Sequence, residues 1–148
     1  MPEAETLRRA RRDAAQGKSP STQAGEFVRE EIHHVREGKH GARSAKQAIA
    51  IGLSKARRAG VDLPAPRKGG RKTRQAAARD RAQGRRTKPR SARRAKASLR
   101  RLKREGHRSA SKASLSRQAH RAARSQSAAT RSARAKKAAA TRRRNAGE

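Results

Sequence analysis

Residues 36–60 read REGKHGARSAKQAIAIGLSKARRAG, and the architecture turns on this stretch. Ser44 followed three residues later by Gln47 is a capping-box pattern: the hydroxyl accepts from a first-turn N–H and the amide reaches back. From there Ala45, Ala48, Ile49, Gly52, Leu53 and Ala56 fall on one face at helical spacing. Gly60 stands where a helix-ending glycine belongs, and Val61 is placed to fold back onto Ala56. Arg57 and Arg58 complement the negative end of the helix dipole. A helix over 45–59 follows.

Working outward, Ser19 is a cap and Pro20 suits a first helical position, where its missing N–H costs nothing. A helix from about Pro20 to Glu37 would align Ala24, Phe27, Val28, Ile32 and Val35 in one stripe. Glu31 lies inside that stripe and argues against a dry interface. The glycines of GKHG end the helix. Two amphipathic helices with so short a connection predict an antiparallel hairpin over 19–63, closed by VDLPAP, with Phe27, Val28, Ile32, Val35, Ile49, Leu53 and Ala56 as its core. A unit of about 45 residues sits near the lower size limit for independent folding, so self-association through the hairpin is expected.

The remainder reads differently. Residues 1–63 hold 13 Lys or Arg against 8 Asp or Glu, whereas residues 64–148 hold 30 against 3. Hydrophobic residues are 31% of the 148, largely alanine, and Phe27 is the only aromatic. Burying alanine removes little apolar area, which does not offset the entropy of ordering a long chain. The fold class expected is therefore mostly α and disordered: a basic N-terminal segment over 1–18, the hairpin, and a long Ala/Arg-rich tail over 64–148. Alanine and arginine favour helix near 73–83, 92–105 and 111–124, between turn residues at RKGGRK, QGRRTKPR and REGHR. Closely spaced like charges oppose it, so those helices are expected on binding a polyanion.

One feature of the tail repeats the opening stretch. REGHRSASKASLSRQAHRA, 104–122, shares with it R-E-G, a histidine, R-S-A, a lysine and an L-S-basic helix, and Ala92, Ala95, Leu99 and Leu102 form a stripe ahead of it. This predicts a degenerate second hairpin over 91–124; the alternative is chance likeness within a biased composition.

Catalytic templates fail. RKGGRK has neither the spacing of a phosphate-binding glycine loop nor a preceding strand, and no carboxylate pair stands in an apolar setting. No catalytic residue, cofactor or small-molecule substrate is read, and the chain reads as non-enzymatic. Without cysteine there is no disulfide or thiolate site. His33 and His34 point about 100° apart on a helix, and although His40 in the turn can approach one of them, they read as solvated or phosphate-facing, as do His107 and His120; no metal site is expected.

The formal net charge of +32 makes a polyanion the expected partner. Arginine outnumbers lysine 31 to 12, which suits phosphate forks and minor-groove insertion and fits a GC-rich bacterial genome. The aromatic platforms of single-strand binders, zinc-finger spacing and the apolar face of a membrane-surface helix are missing. No run approaches the length of a membrane span, and the first residues lack a signal-peptide core. The expected place is the bacterial cytoplasm, on the nucleoid.

KQAIAIGLSKARRAG resembles the signature helix of a family of small bacterial and phage proteins of unknown function, which read R-K-Q-A-I-A-I-x-L-S-x-A-R after a helix ending in EGK. The likeness covers about 26–60, with alanine at position 45 where the family often has a basic residue. It implies a small helical module and no activity. The tail resembles the Ala/Lys/Arg-rich arms of bacterial histone-like proteins, which implies DNA compaction without sequence specificity.

The function expected is non-sequence-specific DNA binding of the histone-like kind, neutralising and condensing or bridging DNA, with Arg85, Arg86, Arg93, Arg94, Arg100, Arg101, Arg104, Arg142, Arg143 and Arg144 as phosphate contacts. An RNA- or ribosome-associated protein and a protein-interaction adaptor using the hairpin are the alternatives.

Overall fold

The computed structural model describes residues 2–86 and 91–147. The elements in chain order are α1 (Ala4–Ala15), α2 (Pro20–Arg36), α3 (Ala45–Arg58), α4 (Arg71–Gly84), α5 (Ala92–Leu102), a 3-10 turn at Arg108–Ala110, α6 (Lys112–Arg124) and α7 (Ala128–Ala146). No strand occurs among the described residues. The turn read at QGRRTKPR lies partly outside them.

This corrects the expected fold class. The described part of residues 64–148 is not a disordered tail awaiting a ligand, because it carries the helices α4 to α7. The physical reason is a balance of small terms. A like-charge pair one helical turn apart costs about 0.2–0.5 kcal/mol, while each alanine gains up to about 0.7 kcal/mol over other ordinary residues. Ser111 and Ser127 add side-chain caps to α6 and α7, accepting from Ser114 N and Thr130 N at 3.2 Å each.

The first three helices are punctuated at both ends. Ser19 accepts from Thr22 N and Ser44 from Gln47 N, and Pro20 occupies the first position of α2. At the end of α3, Val61 N reaches Ala56 O and Gly60 N reaches Arg57 O, both at 3.1 Å, with Gly60 at φ 97°. That is a Schellman ending, and the same pair of bonds closes α2 around Gly38 and α1 around Gly17.

Helices α2 and α3 pack along each other, α1 packs on α2, and α4 packs on α3. Gly52 makes the central approach possible: a Cβ there would stand 2.6 Å from the Cα of Val28. The core forms two clusters. Leu7, Ala10, Ala24, Phe27, Leu53, Ala56, Val61 and Leu63 make one; Val28, Ile32, Val35, Ala42, Ala48, Ala110 and Leu115 make the other. Phe27, Ile32, Val35 and Ala56 are buried, while Val28, Ile49 and Leu53 are half-buried. Helix α1 is hidden from an apolar-pattern reading because the face it buries is Thr6, Ala10 and Asp13.

The two R-E-G turns dock on each other. Gly41 N donates to Leu102 O at 2.9 Å, Ala42 N to Gly106 O at 3.0 Å, and Arg36 Nε to Ala110 O at 2.9 Å. A Cβ on Gly41 would fall 1.8 Å from Glu105 O, so only glycine permits this contact.

Candidate functional site

Docking the second turn on the first holds α5 across from α3 with a cleft of about 990 Å³ between them. Ile51 and Ala50 on one wall face Leu99 and Leu102 on the other. Leu99, 43% accessible, is the exposed large hydrophobic side chain of the described residues. Lys39, Lys55, Arg58, Lys96, Arg101 and Lys103 bring positive charge to the rim and walls. Arg58 is already engaged by Asp80 at 3.7 Å.

Beneath the cleft lies a buried charged cluster. Glu31, fully buried, has Lys55 Nζ 2.6 Å from its Oε2 and His40 Nε2 3.0 Å from its Oε1. Both contacts have ion-pair distances, yet neither oxygen has a partner with hydrogen-bond geometry. Glu30, also buried, lies 3.4 Å from Lys55 Nζ through Oε1 and accepts from Glu3 N at 3.1 Å through Oε2. His34 Nε2 meets Glu3 Oε1 at 2.8 Å, and Lys39 Nζ reaches the same oxygen at 3.1 Å. The His34 hydrogen bond and then Lys39 hold the Glu3 carboxyl down at about 2, well below its ordinary 4.5. The rings of His34 and His40 meet edge to face, 6.0 Å apart.

The cluster has a plain sequence cause. Glu31 and His34 are three apart and so share a face of α2, the Gly38 turn swings His40 back to them, and Lys55 comes from the facing side of α3. Glu31 was legible as a charge inside an apolar stripe; its partners depend on the turn and on helix packing.

The arginines singled out as phosphate contacts lie elsewhere, and the fold does not gather them into one site. Arg93, Arg94, Arg100 and Arg101 are exposed on α5, with Arg104 exposed just beyond it. Arg85 and Arg86 are exposed past the end of α4, and Arg85 lies 3.6 Å from Asp62. Arg142, Arg143 and Arg144 are exposed on α7, which has no buried residue and packs along none of the other helices. Arg101 alone of the ten also lines the cleft.

With this geometry in place, the comparison with known families falls on the punctuated part of the chain. Residues 11–68 match DUF6496, a family of unknown function. The matched residues run from within α1 through α2 and α3 to the loop before α4. They therefore include Glu30, Glu31, His34, His40 and Lys55, while α4 to α7 lie beyond them. No curated protein and no solved structure matches the chain. None of these comparisons supports the likeness of the basic part to histone-like proteins. No helix among the described residues is long and apolar enough to cross a membrane.

Proposed function

We propose that the protein is a non-enzymatic binder of nucleic-acid phosphates, duplex DNA foremost, that reads no sequence and neutralises and bridges DNA in the manner of a histone-like nucleoid protein. The observation that carries this reading is the exposure of a one-sided charge. Residues 64–148 hold 30 cations against 3 anions, and the clusters at 93–94, 100–101 and 142–144 all stand on exposed helix surface. That is more than solubility requires.

Helical order changes how such a surface binds. Arginines held on α5 and α7 lose less freedom on meeting phosphate than arginines on a coil, and their planar forks suit phosphate oxygens. Because α5 and α7 do not pack together, one chain can meet two phosphate tracks, which is the requirement for bridging.

The test is a salt titration of full-length protein on random-sequence duplex DNA followed by fluorescence anisotropy. Affinity is expected to fall steeply, by about 0.9 log unit per phosphate contact for each log unit of salt. Replacing one arginine pair with glutamine should change little, because the contacts are redundant. Replacing all ten named arginines should abolish binding at physiological salt, and retained affinity would defeat the reading. If structured RNA displaces the duplex at lower concentration than competitor DNA does, the protein is an RNA binder instead.

A further inference from the structure

We infer that Glu31, His34 and His40 form a binding site for one Zn2+ ion, which staples α2 to the turn on which α5 docks. One ligand atom from each of the three lies within 4.8 Å of the others, and all three residues are buried. A tetrahedral Zn2+ site with bonds of 2.0–2.2 Å sets its ligands about 3.4 Å apart. The His40 Nε2 to Glu31 Oε1 separation, 3.0 Å, is already close to that edge.

The orientation of both rings supports a metal more specifically than proximity does. His40 turns Nδ1 to the carbonyl of Gly41 at 3.0 Å, and His34 turns Nε2 to the Glu3 carboxylate at 2.8 Å. Each acceptor holds the proton of a neutral imidazole on its own side of the ring, leaving a lone pair on His40 Nε2, which faces Glu31, and one on His34 Nδ1, which lies 4.0 Å from Glu30 Oε1. A carbonyl or carboxylate behind a ligating histidine is the outer shell that fixes tautomer and ring direction at protein metal sites. With that tautomer, the His40 lone pair points at a carboxylate oxygen 3.0 Å away, an arrangement that a shared cation satisfies. Glu31 adds a second sign: it is fully buried, and its oxygens have only the ion-pair contacts to Lys55 and His40, neither with hydrogen-bond geometry.

The donor set selects the ion. Two imidazoles and one carboxylate suit zinc and its neighbours, whereas calcium and magnesium prefer all-oxygen shells. Two features oppose binding. The overall charge of +32 repels cations, but that field is screened over about 8 Å at physiological salt, and Glu3, Glu30 and Glu31 are nearer. Lys55 places its ammonium on Glu31 Oε2, so lysine and metal compete for one carboxylate and the ion takes the Oε1 side. This yields a signed expectation: removing the lysine charge tightens the metal.

The experiment uses the full chain, free of nucleic acid. Calorimetric titration with Zn2+ should show one ion per chain, and Co2+ in its place should give the intense visible bands of a four-coordinate site. X-ray absorption of the Zn2+ form should count two imidazoles and no sulfur. His34→Gln with His40→Gln should weaken Zn2+ binding at least about tenfold, Lys55→Met should strengthen it, and His33→Gln, at an exposed neighbour, should leave it unchanged. Failure of the folded wild-type chain to bind Zn2+, or equal binding by the double variant, overturns the assignment. Should the double variant not fold, the absorption count on the wild type decides: fewer than two imidazoles refutes the site.

Discussion

The stretches 20–58 and 92–124 share a local plan of helix, glycine turn and serine-capped helix, but only the first closes into a packed pair. Helices α2 and α3 lie along each other around Phe27, Val28, Leu53 and Ala56, with Gly52 letting the two backbones approach. Helices α5 and α6 do not pack side by side: α6 rests on the 3-10 turn and on α3, and α5 faces a cleft. What separates them is side-chain volume and punctuation. The second stretch offers Ala92, Ala95, Leu99, Leu102 and Leu115 where the first offers a phenylalanine and three valines or isoleucines on α2, and two isoleucines and a leucine on α3. Among the described residues the Schellman glycines, Gly17, Gly38 and Gly60, all lie within residues 1–63. Capping and propensity make helices; only buried area joins them into a core.

The largest effect that would break this contrast is Phe27→Ala. It should cost about 3–5 kcal/mol in urea unfolding followed by circular dichroism. An unfolding curve hardly moved would mean that the first cluster does not hold the fold.

Gly52→Ala comes next, at about 1–3 kcal/mol, because the added methyl meets the backbone of α2. Gly41→Ala presses on Glu105 O instead, and hydrogen exchange should report it as faster opening at the end of α5 while α2 and α3 stay protected. Uniform loss of protection would show that the two stretches unfold as one unit.

Ser44→Ala removes a cap worth about 1 kcal/mol and should lower global stability. The matching change Ser111→Ala should fray α6 alone, which amide exchange at its first turn would reveal.

Acid sharpens the comparison further. Glu3 has a carboxyl pKa of about 2 in the folded chain against an ordinary 4.5. Its contribution is fully present above the higher value and is lost as pH falls toward the lower one. Glu3→Gln should therefore flatten the pH dependence of stability in that window; an unchanged slope would mean the contact to His34 contributes nothing. The smallest effect is expected for Leu99→Ala, within about 0.5 kcal/mol, since it stands 43% accessible at the cleft and belongs to neither core cluster.

Parts of this were legible in the chain. Ser19, Pro20, Ser44 and Gly60 mark ends that the structure places within a residue or so, because caps and left-handed glycines act on their immediate neighbours. The helices beyond residue 70 stand over segments whose composition favours helix, although their like-charge repulsion by itself predicts coil until a polyanion binds. Helix α1 escaped because Thr6 and Asp13 carry no apolar signal, although Gly17 was available as an end marker.

The candidate site divides the same way. A glutamate inside an apolar stripe and two histidines nearby are sequence facts, and local spacing puts Glu31 and His34 on one face of α2. The sequence by itself determined where helices start and stop and where charge is concentrated, since both are set by near neighbours along the chain. Only the tertiary structure decided that His40 returns to Glu31, that Lys55 arrives from another helix, and that one glycine turn docks on the other. Those contacts join residues far apart in sequence, and their geometry follows from backbone approach distances that no local pattern encodes.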